Sequence, residues 1–202
     1  MSLQIAKKWI NDCVTGHASC RPDPRSGRWY PSRLLDLDDP TQDGLTSLRL
    51  ITTKSHSLEG PYTTLSHRWG QAKFLQLTRH NLEDFHREIP IAELPQTFRD
   101  AILVSKALQI RYLWVDSLCI VQDDASDWAF EASQMHMVYS NSHCNISASH
   151  AEDSTKGLFR DRNSRALCST EVNIGMGNYY TTKKARQAHV LMDGSLIQTS
   201  ID

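Results

Sequence analysis

Four consecutive apolar residues, Tyr112-Leu113-Trp114-Val115, end abruptly at Asp116. An unbroken run of this kind, with no polar alternation, is how a strand reads when both faces are covered, as inside a parallel sheet. The flanking segments agree with that assignment. Upstream, Gly60-Pro61 punctuates the chain and Tyr62-Thr63-Thr64-Leu65-Ser66 follows as a short β-rich run. Between the two strands, Leu94-Pro95 opens a helix in which Phe98, Ala101, Ile102, Ser105 and Leu108 share one face, proline being suited to a helix start. Downstream, Gln122-Asp123-Asp124-Ala125-Ser126 supplies turn and capping chemistry. Asp124 and Ser126 can both accept from the free amides of a helix running to about Asn141. A third strand is expected from Cys144 to Ser149. The order strand, helix, strand, helix, strand implies right-handed crossovers, and so a three-layer α/β fold with a mainly parallel central sheet flanked by helices.

The remaining segments read less sharply. Residues 1–60 suggest an arm or small sheet rather than a separate core: a short helix around Ala6 to Cys13, a loop rich in Pro, Arg, Gly and Asp, and extended pieces at Pro31–Leu37 and Ser47–Thr53. Residues 61–160 form the expected core domain, with a weakly amphipathic stretch from Phe74 to Arg87. Residues 161–202 form an extension in which Thr170 to Thr182 suits a hairpin, and the last 20 residues carry no strong signal. A chain of 202 residues, 40% hydrophobic, can bury one good core. Its net charge of −1, without a basic stripe, excludes the footprint of a nucleic-acid binder. No apolar run approaches the roughly 20 residues that span a bilayer, and Met1 to Lys8 lacks the apolar core of a signal peptide, so a cytoplasmic location is expected. The five cysteines are then expected to stay reduced, and the acceptor-like Asn145-Ile146-Ser147 to stay unglycosylated.

Asp127-Trp128-Ala129-Phe130-Glu131 is the segment that points to chemistry. At about 100° per residue, Trp128, Ala132, Met135, Val138 and Tyr139 fall in one apolar sector, with Glu131 at its edge. A carboxylate there is either salt-bridged to fix the helix or catalytic beside an aromatic wall. Open parallel sheets bind ligands outside the carboxyl ends of their strands. By that rule Ser66, His67, Arg68 and Trp69 join Asp116 and Ser117, Trp128 and Glu131, and Ser149 and His150 at one edge. Arg68 suits phosphate, Trp69 and Trp128 suit a base or ring, and Asp116 and Glu131 supply carboxylates, a set fitting a nucleotide. Each has a blander alternative: a core aromatic for Trp69, a cap for Asp116, a satisfied structural histidine for His67. Trp114 belongs to the core, and Cys119, in an apolar context, is not expected to be a nucleophile. Cys13, His17 and Cys20 make a C-x3-H-x2-C cluster resembling part of a zinc site. A fourth ligand is not evident, although Cys144, Cys168 or a distant His could serve, and the expectation is an arm packed on the sheet with no metal.

With these residues in place, the chain resembles the fungal heterokaryon incompatibility (HET) domain family. The resemblance rests on Tyr62-Thr-Thr-Leu-Ser-His-Arg-Trp-Gly70, Leu94-Pro-Gln-Thr-Phe-Arg-Asp-Ala-Ile102, Arg111-Tyr-Leu-Trp-Val-Asp-Ser-Leu-Cys-Ile-Val-Gln-Asp123, Asp127-Trp-Ala-Phe-Glu131 with Met135, Val138 and Tyr139, and Gly157-Leu158-Phe159. Trp9, Cys13, His17, Cys20 and Arg33-Leu34 also look like the family's leader, while Gln109 stands where many members have Gly. The resemblance implies a role in cell death triggered by non-self recognition. It extends distantly to Toll/interleukin-1 receptor (TIR) domains, whose W-C-x-x-E motif is similar to Trp128-Ala129-Phe130-Glu131, implying a TIR-like or flavodoxin-like sheet. It further implies NAD glycohydrolysis with Glu131 as the catalytic carboxylate and no cofactor; the strand-end residues Ser66, His67, Arg68, Trp69, Asp116 and Trp128 are then expected to bind the substrate, NAD or a related nucleotide. A carboxylate can stabilise the oxocarbenium-like state of that cleavage or attack the anomeric carbon. Self-association and an upstream recognition protein are the expected partners. The rival expectation is a non-enzymatic module that signals by assembly, with Phe130, Met137 and the loop after Gly70 at its contacts.

Overall fold

The computed structural model describes residues 2–17, 20, 28–37 and 48–159, together with the backbone of four strands at 169–173, 178–182, 187–192 and 195–200. These fall into two units, Met1–Leu158 and Phe159–Asp202.

In the first unit, helix α1 (Ser2–Gly16) is followed by strands β1 (Arg33–Asp36), β2 (Arg49–Thr52) and β3 (Tyr62–Ser66). Then come helices α2 (Leu82–Arg87) and α3 (Gln96–Ala107), strand β4 (Tyr112–Val115), the one-turn α4 (Asp116–Cys119), helix α5 (Ala125–Ser140) and strand β5 (Cys144–Ser147). The five strands make one sheet in the order β2-β1-β4-β3-β5. β3 runs parallel to β4 and β5, whereas β1 is antiparallel to both β2 and β4. The sheet is therefore mixed, not mainly parallel. The difference lies in the first 60 residues, whose extended pieces complete the sheet. Leu34, Leu35 and Leu37 are fully buried. At about 1.5–3 kcal/mol for each buried leucine, their burial is comparable to the roughly 1–2 kcal/mol per residue needed to order so short a segment.

The expected helices and strands lie close to where the patterns put them. All of Phe98, Ala101, Ile102, Ser105 and Leu108 are buried. Pro95 precedes α3 in extended conformation, and Asp124 caps α5 by accepting from Ser126 N and Asp127 N. Ser126 does not itself cap; its hydroxyl donates to Asp124 Oδ1 at 2.6 Å. Of the weakly amphipathic stretch only Leu82–Arg87 is α-helical. Side-chain alternation along β3 assigns the layers. Thr63 Oγ1 meets Ser105 Oγ of α3 at 2.7 Å, while Tyr62, pointing the other way, donates its hydroxyl to the Val138 carbonyl of α5 at 2.7 Å. Helices α3 and α5 thus cover opposite faces.

α3 ends in a Schellman arrangement, with Gln109 N donating to the Lys106 carbonyl and Ile110 N to the Ser105 carbonyl, both at 2.9 Å. Gln109 takes φ 61°, the left-handed conformation that glycine adopts without penalty. Gln109 is less suited to this conformation than a glycine would be.

The second unit contains two antiparallel hairpins, β6 (Ser169–Asn173) with β7 (Asn178–Thr182) and β8 (Gln187–Met192) with β9 (Ser195–Ser200). The first matches the hairpin expected at Thr170 to Thr182. The second was unexpected, although Asp193-Gly194, the dipeptide between Met192 and Ser195, is a strong hairpin signal.

Candidate functional site

Asp127 and Glu131 lie four residues apart on α5, so their carboxylates share one side of the helix. Arg33, at the start of β1, meets both. Its Nη2 donates to Asp127 Oδ2 at 2.5 Å and stands 3.5 Å from Glu131 Oε1, while its Nε donates to the Cys119 carbonyl at 2.7 Å. Val121 N adds a bond to Asp127 Oδ2 at 2.8 Å. Glu131 is 2% exposed, while the Arg33 and Asp127 side chains keep 12% and 20% of their surface exposed. Burial pushes the Glu131 carboxyl above its ordinary value, opposed by a hydrogen bond from Ser32 and the charge of Arg33. Burial also pushes the Cys119 thiol up to about 12 despite the nearby Arg33, so this cysteine stays protonated and inert. Trp128, beside them on α5, is 54% exposed.

A second group forms where β3 ends. His67 is enclosed by aromatic rings, with Phe98 4.8 Å away edge-on, Phe74 at 6.2 Å and Trp69 stacked at 6.4 Å. Burial pulls its pKa below the ordinary value, against the pull of Asp116, whose Oδ1 is 3.8 Å from Nδ1. Neither ring nitrogen has a hydrogen-bond partner among the described residues. Asp116 is already engaged, accepting from Trp69 Nε1 at 2.9 Å and Ser117 N at 2.6 Å. It therefore fixes Trp69 and takes the Ser117 amide in the first turn of α4.

Beside this group, Ser66, His67 and Arg68 line an open cleft of ≈330 Å³ with Ser147, Ala148, Ser149, His150, Ala151 and Glu152. The cleft lies at the carboxyl ends of β3 and β5. The chain after β3 leads to α3 on one face and the chain after β4 to α5 on the other, so the connections diverge between β3 and β4, whereas the cleft lies between the loops that follow β3 and β5. Gly70 brings the two loops together. At φ 64°, a Cβ on it would stand 2.5 Å from Asp153 Cβ and 3.1 Å from the Glu152 carbonyl oxygen. Arg68 is exposed and forms no ion pair among the described residues. A larger cavity of ≈480 Å³ runs along α1, lined by Ile10, Val14, Leu108 and Ile110 together with Gln4, Lys7, Lys8, Asn11 and His143.

The residues expected at one site therefore divide in two. Ser66, His67 and Arg68 line the cleft, with Trp69 and Asp116 locked to each other beside it. Glu131 and Trp128 are not among the cleft's lining residues; Glu131 belongs with Arg33 on the β1–β4 side of the sheet. Sequence reasoning missed Arg33 and Asp127. The signal was available: two acids at i and i+4 on a buried helix side require a cation.

A sequence model described as heterokaryon incompatibility protein (HET) matches residues 62–198, more than half of the chain. The chain belongs to the HET family. Membership carries a function related to heterokaryon incompatibility and cell death. No curated protein and no solved structure matches the chain. Several segments of HET character have clear structural jobs here. The Gly157-Leu158 pair docks on α3, Gly157 N donating to Thr97 Oγ1 at 3.1 Å and Leu158 N to the buried Asp100 Oδ2 at 2.6 Å. Among the described residues, no helix of this HET chain is long and apolar enough to cross a membrane.

Proposed function

We propose that this chain is a signalling module of HET-type cell death that acts by self-association, with Glu131 serving the fold and not chemistry. The observation that carries this reading is the burial of Glu131 against Arg33, away from the cleft residues. A carboxylate that attacks or stabilises an anomeric carbon must reach the substrate. One held against a guanidinium at 2% exposure does not present itself to a solute. Self-association is supported by Trp128 and Phe130, which leave more than half of their surface to solvent in the first turns of α5. Large aromatic side chains of this kind anchor interfaces.

The test pairs death of fungal cells expressing the chain with sedimentation of the purified protein. Trp128→Ser with Phe130→Ser is expected to abolish assembly and death, and Glu131→Gln to preserve both. A folded Glu131→Gln protein that assembles but no longer kills would sink this reading.

A second reading is favoured by the raised carboxyl of Glu131 beside the exposed Trp128. It is glycohydrolysis of NAD or a related nucleotide, with Glu131 catalytic. Ser66, His67, Arg68, Trp69, Asp116 and Trp128 would then hold the substrate, and assembly would release Glu131 from Arg33. Its signature is nicotinamide release that rises with protein concentration and vanishes in Glu131→Gln.

A further inference from the structure

Three potential ligands converge where α1 ends. Cys13 Sγ lies 3.4 Å from Cys20 Sγ and 3.4 Å from His17 Nδ1, and all three atoms lie within 4.8 Å of one another. Tetrahedral zinc, at about 2.3 Å from sulfur and 2.0–2.1 Å from nitrogen, sets ligand atoms roughly 3.5–3.8 Å apart, so this spacing is close to that of a zinc site. The backbone holds the arrangement without the side chains. His17 N donates to the Cys13 carbonyl at 3.0 Å and Cys20 N to the His17 carbonyl at 3.1 Å, turning the chain back over the last turn of α1. Cys13 is half-buried while His17 and Cys20 are exposed, so an ion has free access.

We propose that Cys13, His17 and Cys20 bind one zinc ion at the carboxyl-terminal end of α1, tying the segment after the helix to its last turn. Thiolate and imidazole together select zinc over hard cations such as magnesium or calcium. Two thiolates and a neutral imidazole balance the ion's charge, and a cation at this end of a helix meets the negative end of its dipole. Among the described residues no fourth His, Cys, Asp or Glu joins the group. The site stands apart from both groups at the sheet edge and does not depend on either reading of Glu131.

The full chain, purified under reducing conditions, is assayed for bound metal and then, after chelation, titrated with Co2+. The expected result is one zinc per chain and sulfur-to-cobalt charge-transfer absorption saturating at one equivalent. Losing outer-shell partners alone weakens metal sites about 10–100-fold, so Cys13→Ser or Cys20→Ser is expected to weaken binding by more than about 100-fold. His17→Ala should retain charge transfer while weakening affinity. Gel filtration and circular dichroism confirm that each variant is folded. Absence of charge transfer in the reduced wild-type chain would overturn the proposal. So would binding that persists unchanged in the Cys13→Ser, Cys20→Ser double variant, which would put the metal elsewhere.

Discussion

The two sides of one sheet edge are built in opposite ways. Towards β1 and β4, Asp127 and Glu131 share the one guanidinium of Arg33 in a largely buried cluster. Towards β3 and β5, Arg68, Ser66 and His67 line an open cleft with an exposed cation and a buried imidazole lacking hydrogen bonds. The first arrangement fixes a helix to a sheet; the second leaves polar groups available. Both sit at strand ends, so topology alone does not separate a structural ion cluster from a binding site. What separates them is whether the charges are satisfied by one another.

The difference can be broken from either side. Arg33→Ala leaves the buried Glu131 and the half-buried Asp127 without their ion-pair partner, and removing one partner of a buried pair costs about 3–5 kcal/mol. Urea denaturation should therefore show a large loss of stability. Gly70→Ala is expected to cost about 2 kcal/mol by the same measurement, since a left-handed alanine alone costs about 1–2 kcal/mol and its Cβ would meet Asp153. This substitution acts on the cleft wall and leaves the Arg33 cluster intact.

The pH dependence distinguishes the two groups by sign. Glu131 has a raised carboxyl, so its folded form binds more protons, and its contribution to stability falls as pH rises above the ordinary value of 4.5. His67 is depressed, so its contribution is present above 6.5 and lost as pH falls below that value. Unfolding measured across this range should lose its His67-dependent acid limb in His67→Phe, while His143, also depressed by burial, retains a limb of its own. The smallest effect is expected for Arg68→Ala, within about 0.5 kcal/mol, because an exposed side chain without a structural partner contributes little to stability.

Much of this organisation was legible in the sequence. The doubly buried run Tyr112–Val115 and the amphipathic stripe of α3 gave strand and helix directly, because burial on a fixed face imposes a period. The stripe on α5 located Glu131 inside, which the structure bears out, but it could not name Arg33, nearly a hundred residues away in sequence. The extended pieces that become β1 and β2 are visible in the sequence, but four-residue strands give too short a pattern to reveal that they join the central sheet. The cleft was partly legible: Ser66, His67 and Arg68 followed from the strand-end rule, and Ser149 and His150 from the third strand. Asp116 and Trp69 were grouped correctly, but their bond to each other depends on side-chain directions that spacing does not supply.

The central claim is that Glu131 belongs to the Arg33 cluster, and a double-mutant cycle tests it directly. Stability is measured by urea denaturation for wild type, Arg33→Met, Glu131→Gln and the double variant. Residues in one ion-pair network couple by about 0.5–3 kcal/mol, and a coupling above about 1 kcal/mol is expected here. Additivity within about 0.3–0.5 kcal/mol would contradict the account and leave Glu131 free for other work.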